Sequence, residues 1–188
     1  MNTQTKKLTV SALLIALSAV LAAFPILRLP NDGTITLASM VPVIVIGFLF
    51  GTKHGIISAF VFSLIQMVTG GIATPPVENF VYYALVVLLD YVIAFTVLGT
   101  APIFEKMIGN KTISMPISGG IVVFLRFVCH YISGVIIWGV YAPEGQSPYL
   151  YSLLYNGSYM GIELVVTVVV LAVLTPLLLK YKRNYNYK

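Results

Sequence analysis

The chain has 188 residues, of which 59% are hydrophobic and 9% charged, with a net charge of +5 and a mean hydropathy of +0.95. Soluble domains carry about 25% charged residues, so this composition excludes a soluble enzyme, and its apolar weight excludes a disordered chain. The length suits one domain, residues 1–188, and the expectation is an all-α integral membrane protein.

A helix crossing the roughly 30 Å hydrocarbon core takes about 20 apolar residues. Six runs are candidates: 8–27, 37–51, 54–70, 79–98, 116–140 and 159–180. The first follows Lys6 and Lys7 as a secretion signal would, but it is long for one, so a retained helix is expected. Ala12 and Ala16, then Ala19 and Ala23, form small-residue strips on it. Such strips let another helix approach, either within the bundle or from a separate membrane subunit. The second and third runs are short and separated by Gly51-Thr52-Lys53-His54, which reads as a tight helical hairpin. The fourth carries Asp90, the fifth Arg126, Cys129 and His130, and the sixth Glu163. These runs predict a six-transmembrane-helix bundle.

Basic residues set the orientation of such a bundle. Lys6, Lys7, Lys53, Lys106, Lys111, Lys180, Lys182, Arg183 and Lys188 fall on the side of both termini, and Arg28, Asp32, Glu78 and Glu144 on the other. Both termini are therefore expected in the cytoplasm of a cell (plasma) membrane protein. The positive charge thus reads as topology, and no nucleic-acid partner is expected.

Ionisable groups inside the bilayer are costly and tend to mark function. Helical rise places Asp90 about 16 Å below one face, and His130 about 15 Å below the same face. The two share a level. Arg126 lies one turn deeper than His130, Trp138 about two turns higher, and Glu163 near the outer end of the last run. Tyr149, Tyr151, Tyr155, Asn156 and Tyr159 are placed in the loop above. Together they predict a pocket near the extracellular face for a flat, nitrogen-rich or cationic ligand, bound by ring stacking and by the Asp90 carboxylate. Plainer roles compete: an ion pair between Arg126 and Asp90 or Glu163, an interfacial belt for the tyrosines and Trp138, and a helix–helix hydrogen bond for Gln66.

Catalytic and nucleotide signatures are missing. The sequence has no G-x-x-x-x-G-K-[ST], no H-E-x-x-H and no G-x-S-x-G. Cys129 is the single cysteine, so neither an intrachain disulfide nor a cysteine-rich metal site is expected. No enzyme activity, cofactor or metal is expected, and active transport would draw its energy from a partner or an ion gradient.

Several stretches carry a family resemblance. They are Leu88-Leu89-Asp90-Tyr91 with Ala94-Phe95; Arg126-Phe127 with His130, Ile132, Ser133 and Gly134; and Tyr141-Ala142-Pro143-Glu144-Gly145. Tyr151-Ser152-Leu153, Tyr155-Asn156-Gly157-Ser158-Tyr159-Met160 and, more weakly, Asp32 to Leu37 with Met40-Val41-Pro42 extend the match. The chain resembles the thiamine-specific substrate-binding subunits of the energy-coupling-factor vitamin transporters. That resemblance implies a thiamine pocket formed by Asp90, Tyr91, His130, Trp138, Tyr151 and Asn156, with Arg126 and Glu163 as ligand contacts or ion-pair partners. It also implies that Ala12, Ala16, Ala19 and Ala23 dock onto a transmembrane coupling subunit, itself seated on two ATPase subunits. A solitary proton-coupled carrier, or a binder of a related pyrimidine or vitamin, is the competing expectation. Against the family pattern, Trp138 is the single tryptophan, and Val86 stands where a polar residue is common.

Overall fold

A computed structural model describes residues 3–29 and 33–185. Asp32 and Lys188, both used above for orientation, lie outside the described residues. The first helix, α1 (Thr3–Ala23), is followed by a two-residue antiparallel hairpin, β1 (Leu27–Arg28) with β2 (Thr34–Ile35). Then come α2 (Val41–Phe50), α3 (Thr52–Gly70), α4 (Phe80–Met107), α5 (Lys111–Ile136) and α6 (Pro148–Tyr185). Within the described residues α1, α4, α5 and α6 are long and apolar enough to cross a membrane, and α2 is a shorter apolar helix. The protein is an all-α, multi-pass membrane protein.

Polarity is arranged for lipid. In α1 the large residues Leu8, Leu13, Leu17 and Val20 face outward, while Ser11, Ile15 and Ser18 are buried. The inward positions recur at helical spacing, so the small polar seam packs and the bulky apolar face meets hydrocarbon. Ala12, Ala16 and Ala23 are exposed and Ala19 half-buried, so the alanine strips are not consumed by packing inside the bundle. Ser11 Oγ lies 2.8 Å from His54 Nε2, which ties α1 to the first turn of α3.

Helix α2 is the central post, with Val41 through Phe48 all buried. Gly51 turns the chain at φ 91°, a left-handed conformation suited to glycine, and α3 starts at once. Helices α3 and α4 then meet backbone to backbone. A Cβ on Gly99 would lie 2.4 Å from the Gly55 carbonyl carbon, a distance no side chain tolerates.

Helix α4 is not uniform. Asn79 caps it by accepting from Tyr82 N–H at 3.0 Å. A wide π turn occupies Val87–Val92 and a tighter 3₁₀ turn Val97–Thr100. The 3₁₀ turn precedes Pro102, which sits in the first turn of the final segment where its missing N–H costs nothing. The helix therefore continues to Met107 rather than ending near 98 as expected.

Three other boundaries differ from expectation for physical reasons. Helix α1 stops at Ala23 because Pro25 follows and the apolar residues beyond enter the hairpin. Helix α5 ends at Ile136, and Trp138 occupies a turn leading to a 3₁₀ segment at Gly139–Tyr141. Helix α6 starts at Pro148, well before the expected 159. Tyr149, Tyr151, Tyr155, Asn156 and Tyr159 thus lie on the helix and not in a loop. Hydropathy missed this stretch because it is polar, yet Ser152, Asn156, Tyr159 and Glu163 are buried at helical intervals.

The Gly55–Gly99 crossing makes a test of the fold. Gly99→Val should cost at least about 1–3 kcal/mol, the usual range for overpacking, whereas Gly161→Ala, with open space around its Cβ, should leave stability equal or higher. Thermal unfolding of the purified protein in detergent measures both.

Candidate functional site

The π turn of α4 aims Asp90 at α5. Asp90 Oδ1 lies 3.1 Å from His130 Nδ1, and Oδ2 accepts from Ser133 Oγ at 2.7 Å and from Trp138 Nε1 at 3.2 Å. The indole N–H is shared, with Ser133 Oγ also at 3.2 Å. His130 and Ser133 are three residues apart on one face of α5, and Trp138 reaches back from the turn beyond the helix. Asp90 and His130 side chains are 13% and 11% exposed, so the carboxylate is met by protein donors rather than bulk water.

Arg126 completes a chain of donors. Its Nε donates to His130 Nε2 at 3.2 Å, and its guanidinium carbon sits 4.0 Å above the Phe95 ring. Guanidinium nitrogens only donate, so His130 Nε2 accepts and its proton resides on Nδ1, facing Asp90. The neutral ring thus relays between a cation and an anion. Of the alternatives for Arg126, a direct ion pair with Asp90 or Glu163 is not formed among the described residues. The one-turn spacing of Arg126 and His130 explains the difference, since neighbours at i and i+4 meet before a partner on another helix can.

Asn156 locks α6 against this face. Its Nδ2 donates to the His130 carbonyl at 3.2 Å and to Ser152 O and Oγ at 3.1 Å each, and its Oδ1 accepts from Tyr159 O–H at 2.8 Å. Ser152 Oγ donates to the Tyr131 carbonyl at 2.8 Å. The approach depends on Gly134, where a Cβ would lie 2.2 Å from Ser152 Oγ. Around the cluster the rings are layered: Tyr151 stacks on Tyr155 at 5.9 Å, and Trp138 on Tyr141 at 6.3 Å.

Two expected members lie apart from Asp90. Tyr91 O–H donates to the Gly71 carbonyl at 3.0 Å and accepts from Ala73 N–H at 3.1 Å, so it fastens the α3–α4 connection. Adjacent residues on a helix diverge by about 100°, which is why the neighbour of Asp90 looks elsewhere. Glu163 is deep in α6 and not near its outer end, because that helix begins earlier than expected. Its Oε1 accepts from Thr36 N–H and lies 2.7 Å from Thr36 Oγ1, which in turn is 2.7 Å from Ser39 Oγ. It holds the chain between β2 and α2. Gln66 is half-buried and makes no hydrogen bond among the described residues. Cys129 is a free, half-buried thiol.

Ser133, Ser152 and Thr36 were not singled out from sequence as site residues. Ser133 had a readable signal, since it shares the face of His130 one turn on; the other two depend on which helices pack together. The described residues hold no group of three or more histidine, cysteine, aspartate and glutamate side chains able to bind a metal. An apolar groove of about 490 Å³ runs between α3 and α4, and a cavity of about 340 Å³ with charged residues in its lining lies beside Glu105 and Lys182. Asp90 and its partners line neither.

A family model described as "Thiamine transporter protein" matches residues 8–183. The chain belongs to that family. A thiamine transporter, ThiT, of Bacillus subtilis is 30% identical over 168 residues, covering 82% of each chain. Another from Lacticaseibacillus paracasei is 32% identical over 146 residues, covering 72% of this chain and 70% of that one. A solved ThiT structure from Listeria monocytogenes superposes with a TM-score of 0.72 over 94% of this chain and 98% of that one, at 21% identity, and so shows the same fold. Membership places the chain among transporters and not among enzymes.

Glu163 provides the test of this geometry. Glu163→Ala strips the Thr36 N–H of its acceptor and should cost about 1–3 kcal/mol of stability. Glu163→Gln keeps an acceptor oxygen and should recover most of the loss in thermal unfolding.

Proposed function

We propose that the protein binds thiamine and takes it up across the cell membrane as the substrate-binding subunit of an energy-coupling-factor transporter. The observation that carries this reading is the Asp90 carboxylate, held within a membrane helix by His130, Ser133 and Trp138. An aminopyrimidine offers N–H donors along one edge, and a buried carboxylate is the acceptor that discriminates for them. Family membership supports thiamine as the substrate.

In this reading the ligand enters among Asp90, His130, Trp138, Tyr151 and Asn156, with Trp138 and His130 flanking its rings. Tyr91 shapes the wall from the α3–α4 side. Arg126 supports Asp90 through His130, and Glu163 steadies the segment that follows β2. The cluster lies near the extracellular end of a six-span bundle whose termini are both cytoplasmic. Binding requires the Asp90 hydrogen bonds to be exchanged for ligand contacts.

The outward alanine strip of α1 supports a second component. Ala12, Ala16, Ala19 and Ala23 form the face on which a transmembrane coupling subunit would pack, with two ATPase subunits beneath it. The chain itself has no P-loop, so the energy for uptake comes from those subunits.

Thiamine should quench Trp138 fluorescence in the purified protein; absence of quenching and of calorimetric heat would sink the assignment. Asp90→Ala should weaken binding roughly tenfold to a hundredfold, the worth of charge-assisted hydrogen bonds, while Glu144→Gln should not. In liposomes the chain alone should bind thiamine without accumulating it under a pH gradient. Accumulation there would instead establish a solitary proton-coupled carrier. Ala16→Trp should abolish uptake by the assembled transporter while thiamine binding persists.

A further inference from the structure

The end of α5 remote from Asp90 holds a second polar feature, which the proposed thiamine site does not use. Lys111 opens α5, about 28 Å along the helix from His130 at the usual rise. There a cavity of about 340 Å³ is lined by Glu105, Lys106, Ile108, Gly109, Lys111, Ser114 and Lys182. Three lysines face one carboxylate. Lys182 Nζ pairs with Glu105 Oε1 at 2.9 Å, which satisfies that acid, and Lys106 and Lys111 have no ion pair among the described residues. The cavity is therefore left with an uncompensated positive charge on two flexible stems.

The cavity lies at the ends of the apolar helices α4, α5 and α6. Ile103 and Met107 on α4 and Ile113 on α5, close to the lysines in sequence, are exposed, which supplies apolar surface at the same end of these helices as the recess. A ligand that satisfies both carries a phosphate and acyl chains. Basic recesses between membrane helices bind acidic headgroups for this reason, and the ammonium groups act as point charges that follow a phosphate without needing a fixed fork.

We propose that this recess is a binding site for an anionic phosphate, supplied by the headgroup of an acidic phospholipid. Lys106 and Lys111 contact the phosphate oxygens, Lys182 contributes while anchored by Glu105, and the exposed isoleucines and methionine lie along the acyl chains. The lipid bridges the short connection between α4 and α5 and the far end of α6.

The test uses the full chain in nanodiscs of phosphatidylcholine with graded phosphatidylglycerol, reading thermal unfolding and, after detergent extraction, retained lipid by native mass spectrometry. Phosphatidylglycerol should be retained and should raise the unfolding temperature, where phosphatidylcholine alone does neither. The double variant Lys106→Gln/Lys111→Gln should weaken phosphatidylglycerol binding by about 30-fold, from the usual gain per lysine at an anionic surface. Glu105→Gln, which frees Lys182, should strengthen it, so the site stays testable even where the double variant folds poorly. Inorganic phosphate tested alone separates the sources: protection by it without lipid preference supports the phosphate site but overturns the lipid as its supplier. Equal retention of both lipids, or unchanged binding in both variants, overturns the proposal.

Discussion

A carboxylate inside hydrocarbon has to be met by donors before anything else can be arranged around it. Asp90 imposes that condition on this fold. Its partners come from α5 and the turn beyond, so meeting them fixes the angle between α4 and α5. Asn156 then binds the backbone carbonyl of His130, and α6 is drawn onto the same face. Three helices are thus oriented by one buried anion. The remaining packing, such as the Gly55–Gly99 crossing and the buried post of α2, lies outside that cluster and resists collapse from behind.

Charge is carried through the cluster instead of being cancelled at a point. Arg126, His130 and Asp90 form a line of hydrogen bonds with the neutral imidazole between cation and anion. A direct Arg–Asp pair would leave the carboxylate engaged by the strongest available donor. The imidazole relay is weaker and leaves the carboxylate exchangeable, which suits a residue whose proposed partner is a ligand.

Much of this was legible from sequence, and the rest was not for identifiable reasons. Apolar runs locate helices because lipid demands internally bonded backbone, and helical rise alone put Asp90 and His130 at one depth, where the structure joins them. Hydropathy fails where polarity and helicity part company. The polar start of α6 at Pro148 read as a loop, and the apolar residues after Ala23 read as helix. Partners across helices were harder still. Arg126 is open to a ligand or a carboxylate from sequence, but its neighbour one turn away on the same helix takes its Nε, and Thr36 joins Glu163 only once α6 is packed on the hairpin.

The π turn at Val87–Val92 has an effect on the whole of α4. A π turn is one residue more than an α-helix needs for the same advance, so everything after it is rotated by about 100° relative to an uninterrupted helix. Asp90 lies within that turn and Gly99 beyond it, in the 3₁₀ turn. Asp90 faces α5, and Gly99 faces Gly55 on α3. Without the extra residue, one of those two alignments would be lost. The bulge acts as a coupling of azimuth: it lets a single helix satisfy a polar partner on one neighbour and a bare backbone contact on another, at the cost of making chain length through this turn invariant.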